Sequence, residues 1–546
     1  MGCLGKTCTL SSLLIFSITY QFYMIPFSNS QTIINSLPGY DGDLPFSFET
    51  GYVGVGGNEE VQLFYYFVES QRNPEEDPLL IYLPGGPGGS ALVTLLSQID
   101  LKEPFVSEAG LIDIVAVDNV VDRLLIMWIK LFNIPFYQVA HQVFDEMCPL
   151  SFKVDNDIEN LTLTMNPYSW TKLANIIFID IPAGVGYSYG ETKEASVSSD
   201  NIMVTQATDF VKKFLIKHPK FLKNPLYIMG MSYMGIVTPA ITLELYEGNE
   251  RGDQPTLNIQ GYILCSPLTD KFMDFNSRFI FAYRVALISE DIYKLGIESC
   301  DADYLNTDTT NSFCAYSLQR YKEKKLVRYI KLEKLGYSFI NIANLSHFSF
   351  WCMVIYNRLR RVKFNPMFPH FYEYFYKFLN VWANTEAVQK ALNVCQGTIE
   401  KWEPINMTIH YIQGKKDTAC YSYDIFSSFA YHKKLVRKKC RALVFSGDHD
   451  LTFPYVGVEK WIASLDMKVE IPWKPFYVDA QVGGYEESYA QDDYSLTYTT
   501  VKVFITLNNI WMFVQGAGHG VPFNKPRESM DMAERWLAWQ SHSSNS

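Results

Sequence analysis

The stretch that most constrains the fold is PLYIMGMSYMGIVTPA, residues 225–240. Residues 226–229 form a short apolar run suited to a buried strand, and Ile236, Ala240 and Leu243 then recur at helical spacing. Ser232 sits on the turn between strand and helix. A serine there has its hydroxyl thrust above the sheet edge, with the backbone N–H of the next residue aimed at the same space. The bland alternative is an ordinary Gly-x-Ser turn. A serine hydroxyl is nearly inert at neutral pH, so the nucleophile reading requires a histidine to take its proton and a carboxylate to hold that histidine.

The 546 residues suffice for one large core plus a cap. With 48% hydrophobic and 15% aromatic residues, the chain falls outside disordered and fibrous classes. A net charge of −11 without a basic stripe argues against nucleic acid as a partner. At the N-terminus, Lys6, an apolar run over residues 10–25 and the small residues Ser28 and Ser30 read as a secretory signal cleaved near Ser30. The run is shorter than the roughly 20 residues a membrane span needs, so no membrane partner is expected after cleavage. Lys6 also departs from the Ser or Thr that an N-myristoylation signal prefers there. Eight of ten cysteines remain after cleavage, an even number compatible with an oxidising lumen. Cys300 and Cys314 are the nearest candidate pair, and Asn160, Asn344 and Asn406 lie in glycosylation sequons.

VQLFYYFVES (61–70) has strand composition and is followed by the turn signal Asn73-Pro74. Residues 78–83 are continuously apolar, as in a strand buried on both faces, and run into PGGPGGS, residues 84–90. A phosphate loop would need a Lys followed by Ser or Thr, and none follows. The glycines instead suit an oxyanion loop, with the N–H of Gly86 paired with that of Tyr233. Strand-like runs recur at 176–181, before a Pro-Ala-Gly-Val-Gly loop, at 257–270, and at 442–445, before Gly447, Asp448, His449 and Asp450. Two carboxylates and one histidine on one loop, without a second ligand cluster, fall short of a metal site. A carboxylate just past a strand is better placed to orient a catalytic histidine, and GAGHGVPFNKP supplies His519 before a helix at 527–539. Serine, acid, histidine is the chain order of α/β hydrolases.

Together, PGGPGGS, NPYSWTKLANIIFID, GMSYMG, FSGDHD and GAGH, preceded by LPFSFETGYVGVG and EEVQLFYYF, resemble the serine carboxypeptidase-like family. Within it, the chain resembles the plant acyltransferase branch that uses acyl glucose esters. The resemblance implies an α/β-hydrolase fold with a mostly parallel sheet and an inserted helical cap. It implies Ser232, Asp450 and His519 as the triad, with Asp450 rather than Asp448 as the acid, and Gly86 and Tyr233 as oxyanion donors. The expected organisation is a signal at 1–30, a first core part at 31–270, a cap at 271–392 and a second core part at 393–546.

The substrate-binding positions depart from the peptidases of the family. Those carry Asn where this chain has Pro84 and Glu where it has Met231, groups that bind a peptide's terminal carboxylate, and neither replacement can do so. Glu146, in EMCPL, matches a further member of that network but lacks its partner. A small residue is replaced by Met234, which should crowd the elbow, and a cysteine by Gly89, so one usual disulfide cannot form and an unpaired cysteine is expected. Three stretches have no family counterpart: about 97–143, about 322–338, and 503–515, and some of them read as translated introns. The expected activity is acyl transfer from a 1-O-acyl glucose to an alcohol acceptor in the secretory route, extracellular or vacuolar, without metal or organic cofactor. The alternatives are a carboxypeptidase or esterase acting on a peptide C-terminus or ester, and a catalytically impaired member.

Overall fold

The computed structural model describes residues 31–96, 98–101, 149–154, 161–305, 310–333, 371–406, 421–502, 505–507, 510–512 and 517–538. Residues 1–30, read above as a secretory signal, together with Glu146, Asn160, Asn344 and most of the stretch at about 97–143 lie outside these residues.

A twelve-stranded sheet carries the fold. Its principal strands are β1 (Thr32–Ile33), β2 (Phe48–Val55), β3 (Val61–Val68), β4 (Leu79–Leu83), β5 (Asn175–Ile179), β6 (Leu226–Met231), β7 (Ile259–Cys265), β8 (Arg441–Gly447), β9 (Lys468–Val478), β10 (Gln481–Gln491) and β11 (Tyr494–Val501). They lie in the order β1-β2-β3-β5-β4-β6-β7-β8-β11-β10-β9, with the short strand Tyr189–Gly190 beside β3. From β5 to β11 the strands run parallel. Both flanks are antiparallel.

The apolar runs form the parallel centre because each strand there buries both faces, and successive side chains alternate between them. On β4, Leu80 and Tyr82 enter one cluster with Phe64, Phe178 and Met229. Leu79, Ile81 and Leu83 enter the opposite cluster with Tyr65, Ile177 and Ile228. Helices α1 (Asp200–Lys217) and α2 (Thr238–Arg251) cover that second face through Phe210, Phe214 and Ile241. The last helix, Pro526–Ala538, contributes Trp536 to the first.

Between β7 and β8 the chain is helical among the described residues of 271–392. It forms α3 (Lys271–Arg284), α4 (Glu290–Ser299), α5 (Ser312–Glu333), α6 (Phe371–Ala383) and the short helix Glu386–Ala391. Cys300 and Cys314 are disulfide-bonded with Cα atoms 5.0 Å apart, closing the connection between α4 and α5. Residues 322–333, the described part of the second stretch set apart above, continue α5 to its end at Glu333. The third contains a small antiparallel hairpin of Ile505–Leu507 and Ile510–Met512. Its two flanks stay together: the Asp448 N–H donates to Val501 O at 3.3 Å and the His449 N–H to Ala517 O at 3.0 Å. The excursion thus leaves from, and returns to, one turn at the end of β8.

Candidate active site

Ser232 follows the last residue of β6 and opens a 3₁₀ turn, Ser232–Gly235, ahead of α2. Its φ is 59°, a left-handed conformation that costs a residue with a Cβ energy and that persists only where the surroundings impose it. One restraint is the Leu268 N–H, which donates to the Ser232 carbonyl at 2.9 Å. Met234 is fully buried in the α1–α2 face of the core, so the elbow accommodates the large side chain that the sequence led us to expect would crowd it. The accommodation depends on Gly230, where a Cβ would stand 2.9 Å from that of Met234.

His519 Nε2 lies 2.7 Å from Ser232 Oγ, and His519 Nδ1 lies 2.8 Å from Asp450 Oδ2. The second oxygen of Asp450 accepts the Thr452 N–H at 2.6 Å and the Phe453 N–H at 3.2 Å, so the buried carboxylate is aimed by its own turn. The Phe453 ring meets the imidazole edge-on at 5.4 Å. Asp448 points elsewhere, 2.9 Å from the exposed His449. The loop bearing His519 is held by the His449–Ala517 backbone bond and by the Gly518 N–H, which donates to Asn524 Oδ1 at 2.8 Å. Gly447 makes this approach possible, since a Cβ there would fall 2.1 Å from Ala517 O.

The glycine loop lies against the elbow. Gly86 has a φ of 134°, a conformation open to glycine, and a Cβ on Gly85 would meet the Ser232 Cβ at 2.7 Å. Gly86 and Tyr233 therefore flank the nucleophile. Of the two positions that depart from the peptidases of the family, Pro84 is buried, and Met231 receives the Tyr82 hydroxyl on its sulfur at 3.6 Å. Thr94 Oγ1 donates in turn to the Tyr82 oxygen at 3.2 Å. A ring and a thioether thus occupy the two positions, neither able to donate to a carboxylate.

Two buried carboxylates that sequence reasoning passed over support these loops. Asp180, at the end of β5, accepts Ser90 Oγ and the Ala91 N–H at 2.7 Å each on one oxygen. Its other oxygen accepts the Tyr187 N–H at 3.0 Å and the Tyr66 hydroxyl at 3.1 Å. Burial pushes its carboxyl up to about 6, although these four donors favour the ionised form. Asp200 accepts the Tyr233 hydroxyl, the Tyr421 hydroxyl and the Ile425 N–H. The sequence signal for Asp180 was its place just after an apolar strand; its donors, far apart in the chain, are invisible there.

A strap, residues 402–406, crosses the outside of the glycine loop. The Trp402 indole donates to Ser90 Oγ at 3.2 Å, the Ser90 N–H to Pro404 O at 3.0 Å, and the Asn406 N–H to Gly88 O at 2.9 Å. Gly89 opposes Ile405 in an isolated antiparallel bridge. A Cβ on Gly89 would stand 2.7 Å from Gly85 O, so the loop has tightened into the space a cysteine would need. Cys395 and Cys440 are free thiols among the described residues. The Asn406 side-chain amide donates to Gly184 O, joining the strap to the loop after β5.

Residues 38–99 and 140–539 match the serine carboxypeptidase family pattern, and the unmatched interval falls in the first of the three unusual stretches. The chain is 34% identical over 539 residues to serine carboxypeptidase-like 17 of Arabidopsis thaliana, covering 98% of this chain and all of that protein. The chain belongs to the serine carboxypeptidase family. It is also 34% identical to serine carboxypeptidase-like 3 of Arabidopsis thaliana over 513 residues, covering 94% of this chain and 93% of that protein. Among solved structures, it is similar to Kex1(delta)p, a prohormone-processing carboxypeptidase from Saccharomyces cerevisiae. The TM-score is 0.57 at 16% identity, over 90% of this chain and 91% of that one, a likeness of fold. This serine carboxypeptidase family member has the α/β-hydrolase architecture, with its parallel strands at the centre of a mixed sheet.

Proposed function

We propose that this family member transfers an acyl group from a 1-O-acyl glucose to an alcohol acceptor through an acyl-serine on Ser232. The observation that carries the reading is the pairing of a hydrogen-bonded Ser232–His519–Asp450 chain with apolar groups at Pro84 and Met231. The first supplies a nucleophile. The second offers nothing to a peptide's terminal carboxylate.

In the first half-reaction Ser232 Oγ attacks the ester carbonyl while His519 Nε2 takes its proton. The oxygen that gains charge is stabilised by the N–H groups of Gly86 and Tyr233. Collapse breaks the bond to the anomeric oxygen, and His519 returns the proton to the departing glucose. In the second half His519 removes the proton of the acceptor hydroxyl, whose oxygen attacks the acyl-serine; collapse breaks the bond to Ser232 Oγ, His519 returns the proton to that oxygen, and the new ester leaves. Asp450 holds the imidazole tautomer and stabilises its cationic form in both halves. The signal-like composition of residues 1–30 supports a secretory route ending in the vacuole or outside the cell.

The second reading, hydrolysis of peptides or esters, uses the same residues and differs only in what meets the acyl-enzyme. Family membership favours it as much as transfer. A catalytically impaired member is disfavoured by the intact hydrogen-bonded chain. A serine-directed fluorophosphonate tests the nucleophile shared by the first two readings. One equivalent of label, lost in Ser232→Ala, is expected; an unlabelled folded protein would leave only the impaired reading.

A further inference from the structure

Tyr233 is held at both ends. Its peptide with Ser232 has the carbonyl fixed by the Leu268 N–H at 2.9 Å, so the N–H of that same peptide is turned to the opposite side. At the far end of the side chain, the phenol donates to Asp200 Oδ1 at 2.6 Å. Asp200 is fully buried, and it is the first residue of α1, where the helix end favours a negative charge. The Tyr421 hydroxyl donates to the same oxygen at 2.7 Å, and the Ile425 N–H reaches the other at 2.8 Å. The ring stands edge-on to Tyr421 and Tyr423, with centroids 6.4 and 5.6 Å away. Burial pushes the Tyr233 hydroxyl far above its ordinary range, and the bond to Asp200 adds to this, so it stays a donor.

We infer that Asp200 is a positioning residue for the oxyanion hole, fixing the Tyr233 N–H through the Tyr233 hydroxyl. Ser232 has a φ of 59°, so the peptide that follows it sits in an unfavourable backbone region and needs external restraint. Leu268 restrains one end of the peptide. Asp200 restrains the residue on the other, because rotating the peptide would pull the phenol off a buried carboxylate. The inference rests on the acyl-serine reading.

Asp200→Asn leaves a buried donor facing the Ile425 N–H and risks misfolding, so the test uses two hydroxyl deletions. Tyr233→Phe and Tyr421→Phe each remove one donor from the same Asp200 oxygen, but only Tyr233 carries the oxyanion N–H. Both should lower the unfolding temperature by similar amounts. Tyr233→Phe should slow fluorophosphonate labelling about tenfold, short of the roughly hundredfold or more from losing such a donor outright. It should also weaken protection by phenylboronic acid, whose tetrahedral adduct occupies the hole, to a similar degree. Tyr421→Phe should change both by less than twofold. Equal labelling of Tyr233→Phe and wild type, or equal slowing in the two variants, would overturn the positioning role. If wild type itself is not labelled, the acyl-serine reading fails and this inference falls with it; labelled wild type with unaffected Tyr233→Phe removes the inference alone.

Discussion

The half-exposed Ser232 hydroxyl contributes little packing, so Ser232→Ala should abolish turnover with an unchanged circular dichroism spectrum. The two carboxylates of the Gly447–Asp450 turn separate more sharply. Asp450 reaches His519 whereas Asp448 pairs with His449, so Asp450→Asn should lower the rate roughly ten-thousand-fold, as where a triad histidine is left in the wrong tautomer. Asp448→Asn should cost far less, and steady-state rates in the reverse order would show that the wrong carboxylate is assigned. These residues were legible because each follows an apolar run, and strand ends are where such sheets place their chemistry. Asp180 and Asp200 were not. Their partners, Ser90 and Tyr187 for one and Tyr233 and Tyr421 for the other, come together only in the fold.

The strands β4 to β8 could be read from sequence because a strand buried on both faces is written as an unbroken apolar run. The long hairpin β9–β10 could not, since much of β9 is exposed at the sheet edge and carries Lys468, Pro472, Lys474 and Pro475, residues that blunt an edge but break any apolar pattern. The same reasoning bears on residues 503–515. Val501 and Ala517 both bond to the turn after β8, so the excursion adds length without separating its flanks, and loop length alone costs little entropy. Deleting 503–515 should raise both soluble yield and fluorophosphonate labelling, because the segment is mostly apolar. A fall in both would make it a structural part of the enzyme. Gly447→Ala should have the opposite effect to the deletion. Its Cβ would collide with Ala517 O, displacing the loop that carries His519, and displacement on the scale of about 1 Å can cost on the order of a hundredfold in labelling rate.

For the whole molecule, two buried carboxyls set a pH dependence. Asp274 is pushed up to about 7 by burial, against the two backbone N–H groups that its Oδ2 accepts, while its Oδ1 has no hydrogen-bond partner among the described residues. Asp180 is pushed up to about 6. Between pH 4 and 7 the folded state therefore binds more protons at these sites than the unfolded chain. Their contribution to stability is full below about pH 4 and is lost as pH rises through 6 and 7. Buried His432, pushed down to about 3 by desolvation, opposes them below about pH 6.5, so unfolding temperatures should fall across that interval only by the excess of the two carboxyls, and Asp274→Asn, which places a donor at the orphaned oxygen's position, should flatten the slope. An unaltered slope in that variant would assign the dependence to other groups. The proposed passage of the acyl-serine to an alcohol is tested by assaying one preparation with a 1-O-acyl glucose plus alcohol beside a peptide with a free C-terminus. We predict new ester and free glucose in the first assay with little release of C-terminal amino acid in the second; amino-acid release at a comparable rate would contradict it.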